Sequence, residues 1–128
     1  VNTILDTHAM LWFIEGDHEK LSGKAIAHIE GNSHVKFVSI ASLWEISVKM
    51  NIGKLRLRND LDGLQALLVS NGFMPLEIKL EHLKTNLKLD LHHRDPFDRL
   101  MISQAIAEDL QIITKDPNFS LYPIKTIW

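Results

Sequence analysis

Short β-type runs alternate with helix-length amphipathic stretches from one end of the chain to the other, and that alternation limits the fold more than any other feature. The runs cover 2–6, 35–40, 73–78, 111–114 and 124–128. Between them, apolar residues recur at helical spacing over about 8–14, 22–31, 41–51, 61–71, 80–89 and 97–109. Strands separated by helical stretches in this way predict an α/β architecture with a mostly parallel sheet. The punctuation agrees. Ser22 and Asp60 are suited to helix N-caps, Gly31-Asn32 and Asn71-Gly72 to helix ends, and Pro96 to a first helical turn. The stretch 50–58 reads as the end of one helix followed by an exposed basic connection.

With 128 residues and 45% hydrophobic content, the chain is expected to form one domain, 1–128, with a sizeable core. The absence of cysteine excludes disulfides, thiolate catalysis and cysteine-based zinc sites, and is compatible with a reducing cytosol. The start, Val1-Asn2-Thr3-Ile4, lacks the basic and long apolar regions of a signal peptide. No stretch reaches the roughly 18 apolar residues of a membrane span. A soluble cytoplasmic domain without a membrane partner is therefore expected. A net charge of −2 exerts no global pull on nucleic acid, so a polyanion would need a local basic patch.

Four carboxylates interrupt the apolar patterns. Asp6 ends the run Val1-Asn2-Thr3-Ile4-Leu5, and Asp116 follows Leu110-Gln111-Ile112-Ile113-Thr114. In an open parallel sheet, ligands bind beyond the carboxyl ends of the strands, where both acids fall. Each also has a bland role open to it: Asp6 as an N-cap, and Asp116, before Pro117, as a turn former. Glu45 sits amid a helical face of Ala41, Trp44, Val48 and Ile52, where an unpaired carboxylate would be costly to bury. Lys49, at i+4, offers it a salt bridge. Leu43, Ile46 and Met50 form a second apolar stripe on that helix; with Trp12 they exceed the needs of a one-sided layer and suggest an interface. Asp95 before Pro96 suits an N-cap, whereas Asp98 aligns with Ile102 and Ala105 and turns toward the protein. Chemistry is therefore assigned to Asp98 and capping to Asp95.

Four segments, Leu5-Asp6-Thr7-His8-Ala9-Met10-Leu11-Trp12, Ser39-Ile40-Ala41-Ser42-Leu43-Trp44-Glu45-Ile46, Asp95-Pro96-Phe97-Asp98-Arg99 and Thr114-Lys115-Asp116, together resemble a PIN-domain ribonuclease of the VapC toxin type. The likeness extends almost end to end in order and spacing. It implies a three-layer α/β/α fold, Mg²⁺- or Mn²⁺-dependent cleavage of RNA, a homodimer, and inhibition by a small cognate antitoxin. It also implies that Asp6, Glu45, Asp98 and Asp116 form the acidic quartet, with Thr7, Ser39 and Thr114 as polar support.

Residue chemistry points the same way. Hard divalent ions take oxygen ligands, and clustered carboxylates would repel one another without a cation. Asp6, Asp98 and Asp116 are expected to ligate directly or through water. Glu45 is expected either to bind a second ion or to position the attacking water. Lys49, Arg94, Arg99 and Lys115 are the candidate phosphate contacts around this acidic centre. Lys54, Arg56 and Arg58 alternate with Leu55 and Leu57, as an edge strand or as part of a basic rim. The histidines show no zinc spacing; His92-His93 reads as a polar loop and His8 as a surface or packing residue. A phosphatase or receiver domain is a poorer match, because Asp6-Thr7-His8 carries one acid where those folds need two. A non-catalytic binding domain on the same fold is the other alternative.

Overall fold

The computed structural model describes residues 2–128; Val1 lies outside the described residues. Among these residues, five parallel strands form one sheet in the order β3-β2-β1-β4-β5. The strands are β1 (Thr3–Leu5), β2 (Lys36–Ser39), β3 (Met74–Leu76), β4 (Gln111–Ile113) and β5 (Thr126–Ile127). Six α-helices connect them: α1 (Thr7–Ile14), α2 (Gly23–Glu30), α3 (Ile40–Asn51), α4 (Leu61–Ser70), α5 (Leu80–Leu87) and α6 (Pro96–Glu108). Two short 3-10 helices, His18–Lys20 and Pro117–Leu121, were not anticipated from the sequence.

Successive side chains of a strand point to opposite faces, and this sorts the core in two. Leu5, Val38, Ile113 and Ile127 face a layer built from α1, α2 and α4, while Ile4, Phe37, Leu76 and Ile112 face α6. Helix α5 packs on α6, and α3 contacts both α1 and α6. The result is the expected three-layer α/β/α arrangement. Caps formed as expected: the side chains of Ser22, Asp60 and Asp95 accept from backbone amides of α2, α4 and α6, and Pro96 starts α6.

Helix α3 departs from the reading of its faces. Its buried residues are Ala41, Ser42, Glu45 and Ile46, whereas Trp44, Val48 and Ile52 are exposed at 56%, 36% and 57%. Glu45 is buried as expected, but beside a serine and an isoleucine rather than inside the Trp44 stripe. Two apolar stripes on one helix leave its rotation open; packing against α1 and α6 chose between them. The surplus apolar set is also corrected. Ile46 is fully buried, and Trp12, Leu43 and Met50 pack onto the same core cluster. After α3, residues 52–60 are irregular rather than an edge strand; Leu55 and Leu57 pack on the core and leave Lys54, Arg56 and Arg58 exposed.

Strand order positions the site. The chain winds outward from β1 through β2 to β3, then returns to place β4 on the other side of β1. The carboxyl ends of β1 and β4 are therefore neighbours at the reversal of winding, where open α/β sheets bind ligands. Helices α1 and α3 begin at this edge because they directly follow β1 and β2. Helix α6 leads into the amino end of β4, which brings its own first turn to the carboxyl edge.

Candidate active site

Asp6 comes directly after β1, 7% exposed, and has both readings at once. One carboxylate oxygen caps α1 by accepting the Ala9 amide at 2.7 Å, and the other accepts the Thr114 hydroxyl. Thr114 Oγ1 also accepts the Asp116 amide at 3.0 Å, which ties the end of β4 to Asp6. Asp116 caps the 3-10 helix through the Asn118 amide. A carboxylate has two oxygens, so capping and site duties do not exclude each other.

Glu45 is 3% exposed and paired on both oxygens. Thr7 donates to Oε1 at 2.7 Å, and Lys49 Nζ lies 2.7 Å from Oε2. The Glu45 hydrogen bond pushes the Lys49 ammonium upward, and the Asp95 and Asp98 charges add to it against burial. Lys49 is thus the internal countercharge of the acids rather than a free contact on the rim.

Asp98 stands in the first turn of α6, below the Asp95 cap, which accepts the Phe97 and Asp98 amides. Burial pushes its carboxyl from 3.8 up to about 7, with repulsion from Asp95, Glu45 and Asp6 adding to this and His93 opposing it. Burial likewise raises Asp6, against the hydrogen bonds from Thr114 and Ala9 and the attraction of His8, with Asp116 adding repulsion. These mutual effects locate Asp6, Glu45, Asp98 and Asp116 in one electrostatic cluster. Carboxylates pushed upward by burial and by one another in this way are common at functional sites.

Other expected residues separate. Thr7 and Thr114 touch the acids, but the Ser39 hydroxyl faces Gln104 and the Ala41 amide. Lys115 lines an open cleft of about 410 Å³ with Asp6, His8, Trp12 and Asp116. Arg94 is exposed. Arg99 is occupied elsewhere: its guanidinium donates to the carbonyls of Leu89, Asp90 and His93 and to the Tyr122 hydroxyl. Beside Asp98, its guanidinium is taken up by the loop before α6.

That loop delivers the residue sequence reasoning missed. His93 Nε2 lies 2.9 Å from one Asp98 oxygen and 3.4 Å from one Asp116 oxygen. His93, Asp98 and Asp116 offer ligand atoms all within 4.8 Å of one another. The only signal in the sequence was nearness to the Asp95-Pro96-Phe97-Asp98 motif.

The sequence model of the PIN domain matches residues 3–125. The chain belongs to the PIN-domain family. PIN domains are generally nucleases and generally use divalent metal ions, and a candidate acidic cluster stands at the sheet edge. Comparison with curated proteins yields no sequence match. Several solved structures share the PIN fold. VapBC2 from Rickettsia felis, bound to a DNA fragment from its promoter, aligns with a TM-score of 0.71 at 14% identity, covering 98% of this chain and 97% of that one. FitAcB from Neisseria gonorrhoeae aligns at 0.64 with 12% identity, over 97% of this chain and 95% of that one. A toxin–antitoxin complex from Klebsiella pneumoniae aligns at 0.63 with 14% identity, over 95% and 93% respectively. Among the described residues of this PIN domain, no helix is long and apolar enough to cross a membrane.

Proposed function

We infer that this PIN domain is a divalent-metal-dependent endoribonuclease and the toxin of a toxin–antitoxin pair. The observation that carries the nuclease reading is the gathering of four carboxylates where the winding of the sheet reverses, with Asp98 held near pKa 7 by burial and like charge. The donor set fits a hard divalent ion. It is oxygen-rich, partly desolvated, and includes a buried polar nitrogen, His93 Nε2, without a hydrogen-bond partner among the described residues.

Asp6, Asp98 and Asp116 would hold Mg²⁺ or Mn²⁺. When bound, such an ion supplies Lewis-acid activation of water and neutralises charge that builds up on a phosphodiester. Thr114 and the Ala9 amide fix Asp6, while Thr7 and Lys49 fix Glu45 to bind a second ion or to orient the attacking water. Lys115, on the open side of the cleft, is suited to a substrate phosphate. RNA as substrate implies action in the cytoplasm.

The partner reading draws on two supports. Structures that share this fold include toxin–antitoxin complexes. On α5, Leu80, Leu83 and Leu87 are exposed at 63%, 48% and 86%, an unpartnered apolar stripe of the kind that marks interfaces. A homodimer and a small antitoxin are the occupants this reading expects for the apolar surface.

The test combines calorimetry with cleavage of a panel of RNAs. Wild type should bind Mn²⁺ or Mg²⁺ at millimolar concentration or below and cleave RNA only with the ion present. Failure of either ion to bind, or equal binding by the doubly substituted Asp6→Asn/Asp116→Asn protein, rejects the metal site. Metal binding without cleavage of any RNA would favour a non-catalytic binding domain.

A further inference from the structure

The loop between α5 and α6 is tied down more firmly than its polar composition requires. Arg99 donates to three of its carbonyls, those of Leu89, Asp90 and His93. From the far end of the chain, the Tyr122 hydroxyl accepts the amides of His92 and His93 at 3.0 and 2.8 Å and donates to the Asp90 carbonyl. Phe119 meets the His93 ring edge-on at 5.8 Å. Of the loop residues held in this way, His93 is the one whose side chain faces the acids.

The imidazole enters the cluster with an unmet valence. Its Nε2 is close to an oxygen of Asp98 and another of Asp116, yet it makes no hydrogen bond, so neither oxygen is in line with it. Ligand atoms about 2.0–2.1 Å from one ion stand about 3 Å apart at right angles and about 4.2 Å apart across the ion. The separations of 2.9 and 3.4 Å from Nε2 to the two carboxylate oxygens fall in the range a shared ion requires.

We propose that His93 Nε2 is a ligand of the divalent ion held by Asp98 and Asp116, and that this nitrogen biases the site toward Mn²⁺ over Mg²⁺. The proposal rests on the metal-dependent reading of the acid cluster. On its other side, His93 Nδ1 accepts only a long hydrogen bond, 3.4 Å from the Asp95 amide. Mn²⁺ is a transition-metal ion that accepts a nitrogen donor at lower cost than Mg²⁺, which dehydrates reluctantly and keeps an all-oxygen shell. Arg99 and Tyr122 are positioning residues, because they orient the ligand as the outer partners of metal sites do.

Mn²⁺ is itself the probe. Electron spin-echo envelope modulation of Mn²⁺-loaded wild type should show coupling to an imidazole nitrogen, which ¹⁵N-histidine labelling identifies. His93→Gln should lose that coupling and bind Mn²⁺ about tenfold more weakly or worse, with a smaller loss for Mg²⁺. His28→Gln, at the end of α2 beside His34, should keep both. Bound Mn²⁺ without nitrogen coupling in wild type overturns the proposal and leaves the nuclease reading standing; this measurement needs no variant to fold. Tighter Mn²⁺ binding by His93→Gln would also overturn it, because the imidazole would then be a competitor for the carboxylates. If wild type binds no Mn²⁺, the proposal falls together with the reading beneath it.

Discussion

Two buried polar clusters share this fold and are built on opposite terms. Around Gln104, every group has a counterpart. Its Oε1 accepts the Ser39 hydroxyl, and its Nε2 donates to the Glu77 carbonyl at 3.2 Å and reaches His82 Nδ1 at 3.4 Å. His82 accepts the Lys79 amide on Nδ1 and meets Glu108 through Nε2. Around Asp98, by contrast, carboxylates face carboxylates, and a histidine nitrogen has no partner. A network of matched donors and acceptors joins the end of β2 to α5 and α6 and needs nothing further. An excess of carboxylates over their one lysine countercharge, beside an unmatched nitrogen, sets the Asp98 cluster apart from the Gln104 network.

The largest expected difference between the clusters is in activity. Asp98→Asn keeps the size and much of the hydrogen bonding but removes the charge. Single-turnover cleavage should fall by roughly 10²–10³-fold, the scale seen when one preorganised electrostatic group is lost, while circular dichroism remains that of a folded protein. Full activity in a folded Asp98→Asn protein would end its catalytic assignment.

Gln104→Leu should do the reverse. It strips the Ser39 hydroxyl and the Glu77 carbonyl of their partner, at a cost of about 2 kcal/mol, and the melting temperature should fall by several degrees. Activity per folded molecule should be unchanged. An activity loss matching that of Asp98→Asn would mean the two clusters act as one unit and the contrast is false.

A smaller effect is expected with pH. Asp98 titrates near 7 in the folded protein and near 3.8 when exposed. Between those values the folded state holds a proton that the unfolded chain has released. Its contribution to metal-free stability is therefore full at low pH, declines as pH rises through this window, and levels off above about 7. Denaturant titrations of wild type and Asp98→Asn across pH 4–8 isolate this part, because the variant lacks it. Parallel curves for the two proteins would show that Asp98 is not strained. Mn²⁺ affinity should rise over the same window as the ion displaces the proton.

The smallest change belongs to Asp95→Asn. Asparagine is also a good N-cap, so stability should change by only a few tenths of a kcal/mol, and activity should change far less than with Asp98→Asn. A larger activity loss at Asp95 would exchange the roles of the two acids.

Much of this was legible in local sequence, because its causes are local. Strand and helix periodicities are set within a turn or two, and the caps at Ser22, Asp60 and Asp95 act over three residues or fewer. Asp6, Glu45, Asp98 and Asp116 were conspicuous because a carboxylate within an apolar pattern needs a reason. The sequence by itself therefore determined the α/β elements, their punctuation and which acids stand out from the apolar patterns. Tertiary structure alone decided which way α3 turns, since both of its apolar stripes could have been buried and only contact with α1 and α6 favours Glu45 over Trp44. It also decided what Arg99 and His93 do. Arg99 meets carbonyls six to ten residues away, and Tyr122 holds the His93 amide from 29 residues along the chain. No residue pattern encodes which carbonyls a guanidinium will find or where a clamped loop will aim an imidazole. Those outcomes depend on the three-dimensional path of the backbone, which forms only when β4 returns beside β1.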